Sequence, residues 1–282
     1  MANRKLDMGR AWTEATGLIG SNRDTIGALA GLFFFLPSFA AALFAPEMIN
    51  PPEPAPVNAD PQVAMQAMID QMGAFYADNW LLFLGVTIAG FVGSMSMLAL
   101  LSDRGNPTVG EALGKGLKSI PSYIAAQLLS AMAAGLVIGL PLGLIAAFAP
   151  PALTLVAGLV LVVLAVYVFV KFALIAPVIA IDEERNPIAA IARSWRLTKG
   201  NSLRILAFFA LLFVTIVIIG ALVQGILVLI LSAFGGAVAS IGTGLVSALI
   251  NTVITVIFLV VLAAIHRQLA GASPERLAET FE

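Results

Sequence analysis

The sequence predicts an all-α integral membrane protein, with six transmembrane helices in three pseudo-repeats of an interfacial amphipathic helix plus a transmembrane hairpin. Three observations predict it. The first is composition. Of 282 residues, 60% are hydrophobic and 11% charged, and mean hydropathy is +1.00, whereas a soluble domain carries about 25% charged residues. So few charges cannot cover a surface in water, which makes lipid the expected solvent. The second observation is the length of the uncharged runs. The third is a short segment of helical periodicity that recurs before crossings from the basic side.

A spanning helix needs about 20 predominantly apolar residues. Thr25 to Pro46 and Trp80 to Ser102 each hold one such run, while Ser119 to Val170 and Ile205 to Ile265 are each long enough for a hairpin. Pro150-Pro151 breaks the first long run, because two residues without amide hydrogens make a continuous helix costly. Ser232 to Gly242, rich in Gly and poor in bulk, is expected to break the second. The expected spans are 25–45, 80–102, 123–148, 152–177, 205–231 and 243–266, within a single membrane domain covering 1–282.

All 15 basic residues fall in the N-terminal segment, in the second and fourth connections with their flanks, or in the C-terminal tail. The first external connection, Pro46 to Asn79, has Glu47, Glu53, Asp60, Asp70 and Asp78 and no base. Basic residues are retained on the cytoplasmic side of short loops, so both termini are expected to be cytoplasmic. "FAAALFAPEM" has the small residues of a signal-peptide cleavage site. Asp7, Glu14 and Asp24 before it, and the length of the apolar run, argue instead for a retained span.

Interfacial helices are expected at 6–20, 62–77, 107–119 and 187–199. In the first, Met8, Ala11, Trp12, Ala15, Leu18 and Ile19 share a face opposite Asp7, Arg10 and Glu14. In the one over 107–119, Val109, Leu113, Gly116, Leu117 and Ile120 face away from Glu111, Lys115 and Lys118. In the last, Ile188, Ile191, Ala192 and Trp195 form an apolar stripe flanked by Arg193 and Arg196, with Lys199 at its end. Asn106-Pro107 and Asn186-Pro187 both suit a helix start, Asn as cap and Pro at the first helical position. Aligning the two pairs also matches Ala112 with Ala192 and Leu117 with Leu197. On the acidic side, "PPEPAPVNADP" precedes a face of Met65, Met68, Ile69, Met72, Phe75 and Tyr76. Copper(I) could use such methionines, but with no Cys or His beside them an apolar face on lipid or on the bundle is expected.

"FVKFALIAPVIAIDEERNPIAAIARSWRLTKGN" resembles the glycerophosphoryl diester phosphodiesterase membrane-domain family and related six-span bacterial proteins. The matching positions are Lys171, Pro177 and Asp182 or Glu183, then Pro187, Ala189 or Ala190, Arg193, Ser194, Trp195, Leu197, Thr198, Lys199 and Gly200. The resemblance covers about thirty residues and, beyond them, the six-span layout. It implies a bacterial cytoplasmic (inner) membrane location. It implies no phosphodiesterase activity, because hydrolysis in that family belongs to a fused soluble barrel.

The inventory of reactive residues is thin. With no Cys, disulfides and thiolate chemistry are excluded, and His266 alone leaves little for metal binding or for activating a serine. His266 beside Arg267 at the inner end of span six is expected to be interfacial. No catalytic residue, metal or cofactor is expected, nor a nucleic-acid partner, although the net charge of -1 carries no message about nucleic acid because it averages over regions of opposite sign. Lys171, the one ionisable residue inside a span, is expected to reach the interface or pair with Asp182. Gln224 and Asn251, at matching depths in spans five and six, are expected to hydrogen-bond. Gly135, Gly139 and Gly143 continue a small-residue ridge from Ala131 that packs against an internal neighbour or against a second copy in a homo-oligomer, the internal use being expected.

The leading functional expectation is a non-enzymatic membrane protein with a supporting or regulatory role in the envelope. Arg193, Trp195, Arg196, Lys199, Lys115 and Lys118 would touch anionic lipid headgroups. The alternative is a transporter or flippase of a lipid or small amphipathic molecule, as repeats often build transporters.

Overall fold

A computed structural model of the chain describes residues 5–45, 61–102 and 108–271. Helices and no strands are found among them, and six of the helices are long and apolar enough to cross a membrane. The chain is thus built as a multi-pass membrane protein. Glu47, Glu53 and Asp60, most of the proline-rich stretch, and Asn106-Pro107 lie outside the described residues.

The helices in chain order are α1 (Met8–Ser21), α2 (Arg23–Phe44), α3 (Pro61–Asp78), α4 (Trp80–Leu100), α5 (Val109–Phe148), α6 (Pro151–Phe172), α7 (Ile175–Ala180), α8 (Pro187–Thr198), α9 (Ser202–Ser232) and α10 (Gly236–Ala270). They form two compact units. One comprises the chain up to Ile26, Ser94–Thr215, and the chain from Ile257; the other comprises Gly27–Gly93 and Ile216–Val256.

In the first unit, three helices begin with the same local chemistry. Asp7 caps α1 by accepting from Arg10 N at 3.1 Å. Thr108 and Glu111 form a capping box at the start of α5, and Asn186 Oδ1 accepts from Ile188 N at 3.0 Å and Ala189 N at 3.2 Å at the start of α8. Each side chain satisfies amides that a helix start leaves without partners. Four and eight residues after each cap stands a small, buried residue: Ala11 and Ala15, Ala112 and Gly116, Ala190 and Ser194. That spacing keeps them on one helix face, where a short side chain lets the neighbouring backbone come close.

The Asn-Pro alignment is not the one the burial follows, since Ala112 is buried while Ala192 is exposed. Thr108 caps the described start of α5. The described part of the segment over 107–119 is also not a separate interfacial helix. It runs without a break through Pro121 into the span, giving one helix of 40 residues. A single proline removes one amide donor and bends a helix without ending it when the rest of the ladder holds.

α5 carries a second feature. Gly135–Gly139 forms a π turn, closed by Leu140 N on Gly135 O, just before Pro141. α2 repeats it at Gly31–Phe35, closed by Leu36 N on Gly31 O, just before Pro37. Both read Gly-Leu-x-x-x-Leu-Pro. The extra residue in the turn accommodates a proline that can neither donate to the ladder nor approach the carbonyl four residues back. The Gly ridge of α5 is exposed, and a Cβ on Gly135, Gly139 or Gly143 would meet no atom within 4 Å. The expected internal neighbour is therefore not found among the described residues.

In the second unit, the turn between α9 and α10 comes earlier than the glycine content suggests. Gly235 and Gly236 take positive φ values of 65° and 53°, which glycine adopts without a Cβ penalty, and α10 starts at Gly236. Gly242 is inside the helix, and a Cβ there would lie 2.7 Å from Leu231 Cδ2. Its role is close approach of the hairpin arms, not chain reversal. Moving the turn changes which residues share a depth. Gln224 Nε2 donates to Ser247 Oγ at 3.3 Å, while Asn251, one turn further along, is exposed. The expected Gln224–Asn251 pair is replaced by Gln224–Ser247. A thermal-stability cycle of Gln224→Leu and Ser247→Ala is expected to show coupling of about 0.6 kcal/mol. The same cycle with Asn251→Leu should be additive, and coupling there would contradict this pairing.

The methionine face of α3 is exposed at Met65, Met68 and Met72. Only its end is packed, where Phe75 and Tyr76 meet Phe83 with ring centroids at 5.5 and 4.8 Å.

Candidate functional site

The polar chemistry of the first unit converges on the loop from Ile181 to Asn186, between α7 and α8. The approach to it is shaped by Pro177, which has no amide hydrogen and crowds the carbonyl four residues back, so α6 ends at Phe172 and the chain resumes as α7. The Ser194 hydroxyl donates to the Lys171 carbonyl at this break, at 2.7 Å. After α7, Glu183 adopts a left-handed backbone with φ 58°, a conformation costly for a residue with a Cβ. It turns the chain so that consecutive acids face different helices.

Asp182 points to α8 and α10. Its Oδ2 lies 2.7 Å from Arg193 Nε and 3.0 Å from His266 Nε2. The imidazole contact requires the hydrogen on Nε2, since a carboxylate can only accept. Burial works against the Asp182 charge, but the hydrogen bond and charge of His266, followed by Arg193, outweigh it and hold the carboxyl below its ordinary value. Glu183 faces α5 and pairs with Lys115 at 3.1 Å. Glu184 accepts from Asn186 N at 3.0 Å and so steadies the cap of α8. Arg185 Nη1 donates to Ser119 Oγ at 2.8 Å, and its carbonyl accepts from Ser122 Oγ at 2.6 Å. Five consecutive residues therefore tie α5, α8 and α10 together.

The chain start is fastened to the same end of the unit. Leu6 N donates to Asn201 Oδ1 at 2.9 Å, Asp7 N to Gln268 Oε1 at 3.1 Å, and Arg267 pairs with Glu14 at 3.2 Å. Gly200, with φ 79°, turns the chain between α8 and α9 and places Asn201 for this contact.

Lys171 and Asp182 do not pair. The Lys171 side chain folds under aromatic rings, with Nζ 5.3 Å from the Tyr167 centroid and 5.4 Å from the Trp195 centroid. The negative faces of the rings attract the ammonium. Lys171 is on the α6 side of the break, while Asp182 lies beyond α7 and is taken by Arg193 and His266. Of the six expected headgroup contacts, Arg193 and Lys115 are engaged in ion pairs and Trp195 roofs Lys171. Arg196, Lys199 and Lys118 are exposed.

His266 is the residue whose partner the sequence did not show. It is 2% exposed and holds Asp182. Three consecutive acids ahead of a basic helix were the available signal that a buried partner was needed. Nothing local to His266 marks it as that partner.

No group of three or more His, Cys, Asp or Glu that could hold a metal ion occurs among the described residues. No curated protein and no solved structure matches the chain. A family model does match over residues 60–269, a range that includes every residue of the Asp182 loop and its partners on α5, α8 and α10. The chain therefore belongs to the family described as Domain of unknown function (DUF7847).

Proposed function

We propose that the protein is a non-enzymatic component of a bacterial cytoplasmic membrane, with both termini cytoplasmic, whose basic interfacial helices bind anionic lipid headgroups in a supporting or regulatory role. One observation carries this reading. The acids of the loop are all engaged, while Arg196, Lys199 and Lys118 are exposed with no ion-pair partner among the described residues. Exposed bases at an anionic surface gain about 1 kcal/mol each, about fivefold in affinity. Two further features support it: the pattern of cap and buried small residues that α1, the start of α5 and α8 share, and the local resemblance to the phosphodiesterase membrane-domain family. Changing Arg196, Lys199 and Lys118 together to Gln is expected to lower the ratio of anionic to zwitterionic lipid that co-purifies with the protein at least fivefold. An unchanged ratio would overturn the reading.

A second reading, a flippase for a lipid or small amphipathic molecule, is favoured by the π turns of α2 and α5. Such turns recur at functional sites and interrupt a helix where it can bend. It requires reconstituted vesicles to translocate a fluorescent lipid, and to lose that activity when Pro37 and Pro141 become Ala.

A further inference from the structure

With Asp182 assigned to Arg193 and His266, Lys171 stands as a buried cation without a counter-charge. It is 2% exposed, and no carboxylate lies within ion-pair distance among the described residues. Glu183 and Glu184 are committed to Lys115 and to the α8 cap. Rings alone are a weak replacement for water around an ammonium, because burying an unpaired charge is costly. A second cation, Lys199, caps the end of α8 one turn after Trp195, whose ring covers the Lys171 ammonium, and is itself exposed and unpaired among the described residues. A buried ammonium without an acid, with a free cation one helical turn beyond its aromatic roof, makes an arrangement that an anion completes.

The surroundings specify what kind of anion. Val156, Val160, Val163 and Tyr167 precede Lys171 on one face of α6, and all four are exposed. Trp195 is also partly exposed over the ammonium. An apolar track leading from an aromatic roof fits an acyl chain joined to a phosphate, and a soluble anion would leave the track unused.

We propose that Lys171 and Lys199, roofed by Tyr167 and Trp195, form a specific site for the phosphate of one anionic phospholipid whose acyl chain follows the valine face of α6. The proposal rests on the lipid-binding reading above and adds a single, stoichiometric site to it.

The test uses the full chain in nanodiscs of phosphatidylcholine containing a minority of phosphatidylglycerol, followed by detergent washing and native mass spectrometry. The wild type is expected to retain one phosphatidylglycerol. Lys171→Met should lose it at least tenfold, Lys171→Arg should keep it, and Lys199→Gln should fall between. Removing an unpaired buried charge in favour of an apolar chain should not lower the melting temperature, so the loss is separable from misfolding. If Lys171→Met retains the lipid like the wild type, the site is wrong even where bulk anionic enrichment persists. If the wild type shows no preference for phosphatidylglycerol at all, the broader reading fails instead. Inorganic phosphate added to lipid-free protein distinguishes the sources. A melting-temperature rise in the wild type that is absent in Lys171→Met would move the occupant to a soluble anion and overturn the lipid assignment; no rise, with phosphatidylglycerol retained, supports it.

Discussion

Replacing Asp182 with Ala is expected to destabilise the folded protein by about 2–4 kcal/mol, read as a lower melting temperature in detergent. The carboxylate joins Arg193 of α8 to His266 of α10, and removing it leaves both without their partner. Fully buried pairs broken in this way cost about 3–5 kcal/mol, and the 19% exposure of the Asp182 side chain brings the figure down. Its carboxyl is held below the ordinary value in the folded state, so the contribution has a defined pH dependence. It is fully present above the unfolded value of about 3.9 and lost as the pH falls through the lower folded value. The gap between wild type and Asp182→Ala should therefore shrink on acidification across that window. A gap that is constant with pH, or a variant as stable as the wild type at neutral pH, would show that Asp182 does not bind the two helices together.

Gly116→Ala is expected to be destabilising by about 1–3 kcal/mol despite alanine being the better helix former. A Cβ at Gly116 would lie 2.6 Å from Ser96 N and 2.7 Å from Ser96 Cα. These are backbone atoms of α4, which cannot rotate away as a side-chain tip can, so two helices must separate. Gly114 is the internal control. It sits two residues away on the exposed face with no atom within 4 Å, and Gly114→Ala should be stabilising by about 0.5–1 kcal/mol. Opposite signs for two identical chemical changes in one helix would be hard to explain except by the α4 contact. Equal signs would count against it.

The spans were legible in the sequence because crossing a bilayer imposes a length and a polarity that a single segment must meet alone. Pro150-Pro151 falls where α5 and α6 separate, and α8 starts at the Asn186 cap with Pro187 in its first turn, as their backbone chemistry requires. The start of α10 was not legible. Gly235, Gly236 and Gly242 look alike as residues, and only the packing of Leu231 distinguishes a turn glycine from a contact glycine. The continuity of α5 through Pro121 was equally hidden, since a proline bends or ends a helix according to what holds the flanking turns.

The candidate site shows the same division. That Asp182, Glu183 and Glu184 precede a basic amphipathic helix is written in the sequence, and so is the lone lysine of span four. Which base each acid takes is not. Asp182 and His266 are 84 residues apart, and Lys171 pairs with rings because the break before Pro177 places it under α8.

By itself the sequence determined that this chain is helical, how many times it can cross a membrane and where its charges accumulate, because each of these depends on the free energy of a local segment in lipid or at its surface. Only the tertiary structure decided that His266 is buried against Asp182, that Gln224 meets Ser247, that Gly116 touches α4 and that Lys171 has no counter-ion among the described residues. Those facts depend on the relative rotation and depth of helices distant in sequence, which are set by close packing of small residues and by the pairing of the few charges the interior can hold.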